Sequence, residues 1–121
     1  MAKILLIEDE PEHIKVIRIR LEASGYEVIA AENAKNGIRS ALLDKPDLIL
    51  MDILLPDMSG LKAIRRLKEL RETEDIPIVA ITAVRTPDIG RDCYAAGACD
   101  VIGKPYDDRD LLDKIKRALE K

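Results

Sequence analysis

The 121-residue chain contains no Phe, no Trp and only three Tyr. Surfaces that stack nucleic-acid bases are built on aromatic rings, so this composition offers no such platform. A basic tract is missing as well. The net charge is −3 and the isoelectric point near 5.2, which argues against a nucleic-acid footprint. Histidine occurs once, at His13, which rules out a multi-histidine metal centre and leaves any Ser-His-Asp or Cys-His mechanism a single possible base. The two cysteines, Cys93 and Cys99, lack CxxC spacing and read as reduced thiols of a cytosolic protein. Long hydrophobic runs are also absent. The first, Ile4 to Ile7, is short and leads straight into Glu8-Asp9-Glu10, so neither a signal peptide nor a membrane span is expected.

What remains is a globular composition, 47% hydrophobic and 36% charged, in a length that suits one domain over residues 1–121. No Ser/Gly-rich linker, repeat or low-complexity segment divides it. KILLIE (3–8), YEVIAA (26–31), DLILM (47–51), IPIVAIT (76–82) and CDVIG (99–103) read as five short strands. The first is a near-continuous apolar run, as expected of a strand covered on both faces. Helical segments fall between them. EPEHIKVIRIRLEAS has Pro11 in its first turn and Gly25 where a helix C-terminal glycine belongs. Asn33 caps a second helix running to about Asp44, which Pro46 stops. LKAIRRLKELRE (61–72) is the third, and Thr86-Pro87-Asp88 opens a fourth that carries Gly90 inside it, a loss of roughly 1 kcal/mol in helix propensity. DDRDLLDKIKRALEK (107–121) is the last. Strands alternating with helices call for an α/β fold, a doubly wound five-stranded parallel sheet with five helices, and the order 2-1-3-4-5 satisfies the right-handed crossover rule. Ligands in such folds bind beyond the carboxyl ends of the strands.

Those ends hold the polar residues. In LILMDILLPDMSG (48–60), Asp52 stands between apolar runs, and burying an unpaired carboxylate costs about several kcal/mol. Strand 1 ends in Glu8-Asp9, strand 4 in Thr82 and strand 5 in Lys104. Each residue alone has a structural explanation. Together, three acids on adjacent strands repel one another and need a cation. An all-oxygen set selects a hard ion, and Mg²⁺ suits a shallow site that keeps several waters. The Asp52 side chain is then expected to emerge at the rim beside a metal and Lys104.

This pattern resembles the receiver domain of response regulators, the phosphoacceptor module of two-component and phosphorelay signalling, over essentially the whole chain. The resemblance rests on the acidic pair after strand 1, DILLPDMSG, Thr82-Ala83 after strand 4 and Lys104-Pro105 after strand 5. It implies a flavodoxin-like fold and a switch that catalyses only its own phosphorylation and dephosphorylation, not a classical enzyme. Asp52 is the implied phosphoacceptor, taking a phosphoryl group from a phosphohistidine of a sensor histidine kinase or histidine phosphotransfer protein. Asp9, Asp52 and the Leu54 carbonyl would ligate Mg²⁺, with Glu8 acting through water. Lys104 would pair with the phosphoryl oxygens, and Thr82 with the Ala83 amide would bind them from the other side. A cis Lys104–Pro105 bond is implied, Asp57 is a loop residue of a proline turn, and Gly60 permits its tight exit. The partners implied are a kinase or phosphotransfer protein and a downstream protein effector in the cytoplasm, without nucleic acid or membrane. The last helix runs to the end of residues 1–121, so no output domain is expected within them; the chain is either a stand-alone receiver working by protein contacts or one cut from a larger protein.

Two departures from the family pattern stand out. Val101 occupies the position, three before Lys104, where an aromatic residue usually reports phosphorylation. Leu54 and Val84, two past Asp52 and Thr82, are apolar. Tyr106 is assigned to core packing, Tyr94 to an output surface or amphipathic fill, and His13 to packing or the surface. On helix 1, Ile14 and Ile19 flank a charged stripe of Lys15, Arg18 and Glu22 and are candidate kinase contacts. The rival reading is a pseudo-receiver that docks partners without phosphorylation; intact Glu8, Asp9, Asp52, Thr82 and Lys104 argue against it. A P-loop fails because Ala98 and Pro105 stand where it needs Gly and a hydroxyl. An aspartate-nucleophile phosphatase would carry an acid at Leu54, and a flavin binder would want aromatics and a phosphate loop after strand 1.

Overall fold

The computed structural model describes residues 1–120. Among them five strands and five helices alternate: β1 Lys3–Ile7, α1 Pro11–Ala23, β2 Glu27–Ala31, α2 Ala34–Asp44, β3 Leu48–Asp52, α3 Gly60–Glu69, β4 Ile78–Thr82, α4 Ile89–Ala96, β5 Asp100–Gly103 and α5 Asp108–Leu119. The strands form one parallel sheet in the expected order β2-β1-β3-β4-β5. β3 is central and wholly buried, which explains its apolar run Leu48–Met51 ahead of Asp52.

Side chains alternate across the sheet, so each central strand feeds two cores. Leu5, Ile7, Ile49 and Met51 pack with Ala34, Ala63, Ile64, Leu67 and Cys93 under α2, α3 and α4. Ile4, Leu6, Leu48 and Leu50 pack with Ile17, Leu21, Leu111 and Ile115 under α1 and α5. Cys93 is a buried free thiol in the first of these cores, so it makes no disulfide with Cys99.

Gly25 follows α1 with φ +93°, a left-handed conformation that explains glycine there. Asn33 accepts the Asn36 N–H at 2.8 Å and caps α2 as expected. Gly60 acts through closeness, not through φ. A Cβ there would lie 2.4 Å from the Asp52 carbonyl oxygen and 2.6 Å from the Ile53 Cα, so the start of α3 packs directly on the end of β3.

Several boundaries differ from expectation. α3 stops at Glu69, not Glu72, because the Thr73 hydroxyl donates to the Leu67 carbonyl at 2.6 Å, taking the acceptor that another helical turn would use. Lys68 Nζ adds bonds to the Glu74 and Ile76 carbonyls at 3.0 and 2.7 Å and fixes the loop that follows. α4 begins at Ile89, after Thr86-Pro87-Asp88, and Asp88 makes no side-chain cap bond. The expected final helix reached Lys121, which lies outside the described residues. No described helix is long and apolar enough to cross a membrane.

Candidate functional site

β3 lies between β1 and β4, so residues at their carboxyl ends share one rim. Ligand oxygens of Glu8, Asp9 and Asp52 all lie within 4.8 Å of one another. Asp9 is exposed, whereas Glu8 is 1% and Asp52 5% exposed. Asp52 therefore sits at the rim but is buried, a correction to the expectation that it emerges. It is not unpaired. Lys104 Nζ donates to Asp52 Oδ2 at 2.9 Å and to Glu8 Oε1 at 3.1 Å. The Leu54 amide donates to Asp52 Oδ1 at 2.9 Å, and the Glu10 amide to Glu8 Oε2 at 3.1 Å. These bonds offset the burial.

Two buried carboxylates sharing one ammonium repel each other, and that repulsion drives their pKa values apart. Burial pushes the Glu8 carboxyl up, but hydrogen bonds from His13, the Glu10 amide and Lys104 outweigh it and hold it at about 2. For Asp52, burial prevails over the Lys104 and Leu54 hydrogen bonds, and the neighbouring Glu8 charge adds to it, so its pKa is raised. Burial works against the Lys104 ammonium, yet its pairing with Asp52 and Glu8 prevails and raises its pKa.

Thr82 and Ala83 stand one strand over. Asp52 pairs with Ile81 across β3 and β4, so Thr82 lies one residue beyond it. Thr82 is 2% exposed, and its hydroxyl oxygen accepts the Val84 N–H at 2.9 Å, leaving its own proton available to donate. Ala83 is exposed, and the Lys104–Pro105 bond is cis. Arg85 donates to the Lys104 carbonyl at 2.6 Å and ties the β4–α4 segment to this turn.

Three assignments change. His13 is not a mere packing or surface residue: its Nδ1 is hydrogen-bonded to Glu8 Oε1, and its Nε2 lies 2.7 Å from the Tyr106 hydroxyl. Helical side chains lean toward the helix N-terminus, so a first-turn residue after β1 points back at the rim. That direction was the available signal. Tyr106 packs against the α1/α5 core as expected, but its hydroxyl also faces this network. Asp57, more than a loop residue, accepts the Ala34 and Lys35 amides at 2.9 Å each and caps α2 from the β3–α3 loop. Those backbone bonds lower its pKa. Nothing in local sequence pairs Asp57 with α2.

Three carboxylates against one ammonium leave the cluster net negative, and its donors are all oxygen. Such a set fits a hard divalent cation such as Mg²⁺.

Comparison with known proteins agrees with this geometry. The family pattern described as the response regulator receiver domain matches residues 4–116. The chain is 39% identical over 118 residues to the phosphate regulon transcriptional regulatory protein PhoB of Pseudomonas aeruginosa, covering 98% of this chain and 52% of that protein. It thus spans about half the length of that regulator. Protein PilH of the same organism is 37% identical over 122 residues, covering 98% of each chain. Among solved structures, the receiver domain of sensor histidine kinase PA1611 from Pseudomonas aeruginosa, crystallised with a magnesium ion coordinated in its active-site cleft, superposes with a TM-score of 0.91 at 32% identity, covering 99% of this chain and 98% of that one. Fold, rim and sequence agree: the chain belongs to the response regulator receiver domain family of two-component signalling.

Proposed function

We propose that this chain is a phosphoacceptor switch in which Asp52 takes a phosphoryl group from a phosphohistidine of a partner kinase or phosphotransfer protein. The observation that carries the reading is the Asp52 carboxylate, buried at the end of β3, bonded to Lys104 and beside Glu8 and Asp9. One Asp52 oxygen attacks phosphorus, the P–N bond breaks, and the electron pair leaves on the imidazole. Lys104, already 2.9 Å from Asp52, follows the charge onto the phosphoryl oxygens. The Thr82 hydroxyl and Ala83 amide donate to those oxygens from the β4 side. Asp9, Asp52 and the Leu54 carbonyl would hold Mg²⁺, with Glu8 acting through water. When bound, the ion neutralises charge on the transferring group, which is most of what such transfer needs. The modified protein acts in the cytoplasm by changing its contacts with a downstream protein.

The test is incubation with a small phosphodonor, with and without Mg²⁺, followed by intact mass. Wild type should gain one acid-labile phosphoryl group only with Mg²⁺, and Asp52→Asn none. An Asp52→Asn chain that gains it at the wild-type rate overturns the assignment.

A further inference from the structure

We infer that His13 is a positioning residue of the acidic site: it holds the Glu8 carboxylate in place for the cation and is itself held by Tyr106. The inference rests on the proposed role of Glu8, Asp9 and Asp52 toward Mg²⁺.

Glu8 has three donors. The Glu10 amide takes Oε2, while Lys104 and His13 share Oε1. Lys104 is not a dedicated holder, because its Nζ also bonds Asp52 and is the group that follows a phosphoryl group. When Lys104 turns to that group, the Glu10 amide and His13 are what keep Glu8 fixed. An ionised carboxylate only accepts, so Nδ1 of His13 carries the hydrogen. In the neutral ring Nε2 is then an acceptor, and the Tyr106 hydroxyl at 2.7 Å is the donor that matches it. Tyr106 thereby fixes the tautomer and the ring orientation. Outer partners that orient ligands in this way strongly influence metal affinity. The His13 side chain is 16% exposed and Glu8 1%, so water does not readily replace this donor. The path also joins β1 to the segment before α5 without using position 101, where Val101 leaves the family's aromatic reporter missing.

The test is Mg²⁺ titration of the metal-free protein by calorimetry, with thermal midpoints recorded alongside. His13→Leu removes the donor, His13→Asn keeps an N–H near the Nδ1 position, and Tyr106→Phe removes only the support. His13→Leu should raise the Mg²⁺ dissociation constant about tenfold, and His13→Asn should restore it to within about threefold of wild type, with Tyr106→Phe between. A His13→Leu chain with an unchanged midpoint and wild-type affinity overturns the inference, as does His13→Asn binding no better than His13→Leu. If His13→Leu does not fold, the imidazole nitrogen resonances of wild type decide. This sole histidine should show the Nδ1–H tautomer and shift on Mg²⁺ addition, and signals unmoved by Mg²⁺ would refute it. Wild type that binds no Mg²⁺ overturns the proposed metal role as well, whereas wild type that binds while His13→Leu binds equally well overturns only the role of His13.

Discussion

At Asp52 the protein tolerates a buried carboxylate next to a second one because a single lysine serves both. The residues around it set what reaches it. Leu54 is 58% exposed, and Val84 is half-buried two residues past Thr82. Both hold the site through backbone alone, the Leu54 amide on Asp52 and the Val84 amide on Thr82. Their side chains can therefore be changed without removing those bonds. Apolar at both positions, the chain offers no hydrogen bond to a water in line with the phosphorus–oxygen bond, so phospho-Asp52 should be long-lived. Leu54→Asn with Val84→Glu should speed loss of the phosphoryl group, followed by intact mass over time, with Mg²⁺ dependence unchanged. Decay no faster than wild type would sink the idea. Tyr106 gives a second test at this scale. Burial raises its phenol to about 12 against an ordinary 10; nearby Lys104 and Arg20 pull the other way, while Asp108 and Glu8 push up. The folded state thus favours the neutral phenol. Its contribution to stability is complete below about pH 10 and is lost as pH climbs toward 12. Phenolate absorbance should show a tyrosine titrating near pH 12 that Tyr106→Phe removes. If that substitution instead deletes a tyrosine titrating near pH 10, the burial argument for Tyr106 fails.

At the scale of elements, the strands were legible because a parallel sheet covered on both faces writes itself as short apolar runs, as in Ile4–Ile7 and Leu48–Met51. The ends of α3 and α4 were less so. Thr73 reaching back to Leu67 is a tertiary event that helix propensity does not encode. Helix α1 shows the same limit on its surface. The periodicity placed Ile14 and Ile19 alike beside the charged stripe, but the fold separates them. Ile14 packs against the α1/α5 core, whereas Ile19 is 59% exposed. Val16, three residues before Ile19 on the same face, is 39% exposed. Arg18 also leaves the open stripe, donating to the Val28 carbonyl at 3.0 Å. The docking surface proposed for a kinase is therefore centred on Val16 and Ile19. Ile19→Asp should slow phosphotransfer from a phosphohistidine donor and leave small-molecule phosphorylation alone. Ile14→Asp should slow both through a lower thermal midpoint. Equal slowing of both reactions by Ile19→Asp would remove α1 from the docking surface.

Over the whole molecule, the convergence of the candidate residues was legible because the strand order converts distant positions into neighbours: Glu8, Asp9 and Asp52 cluster, and Lys104 reaches Glu8 and Asp52, only once β3 lies between β1 and β4. What was not legible, the bonds of His13 to Glu8 and of Asp57 to α2, depends on side-chain direction after folding. The same convergence makes the site a property of the folded state alone. Unfolded, Asp9 and Asp52 are far apart in sequence and form no cluster, so a cation that binds between them stabilises the fold by mass action. At a hundredfold excess over the dissociation constant the gain is about 2.7 kcal/mol. For a domain of this size that corresponds to a rise of roughly 8–13 °C in thermal midpoint. Asp9→Asn should lose most of the rise, because it removes one of the three clustered carboxylates, while Asp75→Asn, an exposed acid in the loop after α3, should keep it. Thermal denaturation with and without Mg²⁺ reads this directly. A wild-type midpoint that Mg²⁺ leaves in place, or an Asp9→Asn chain that gains as much as wild type, would show that the three carboxylates do not act as one cation site.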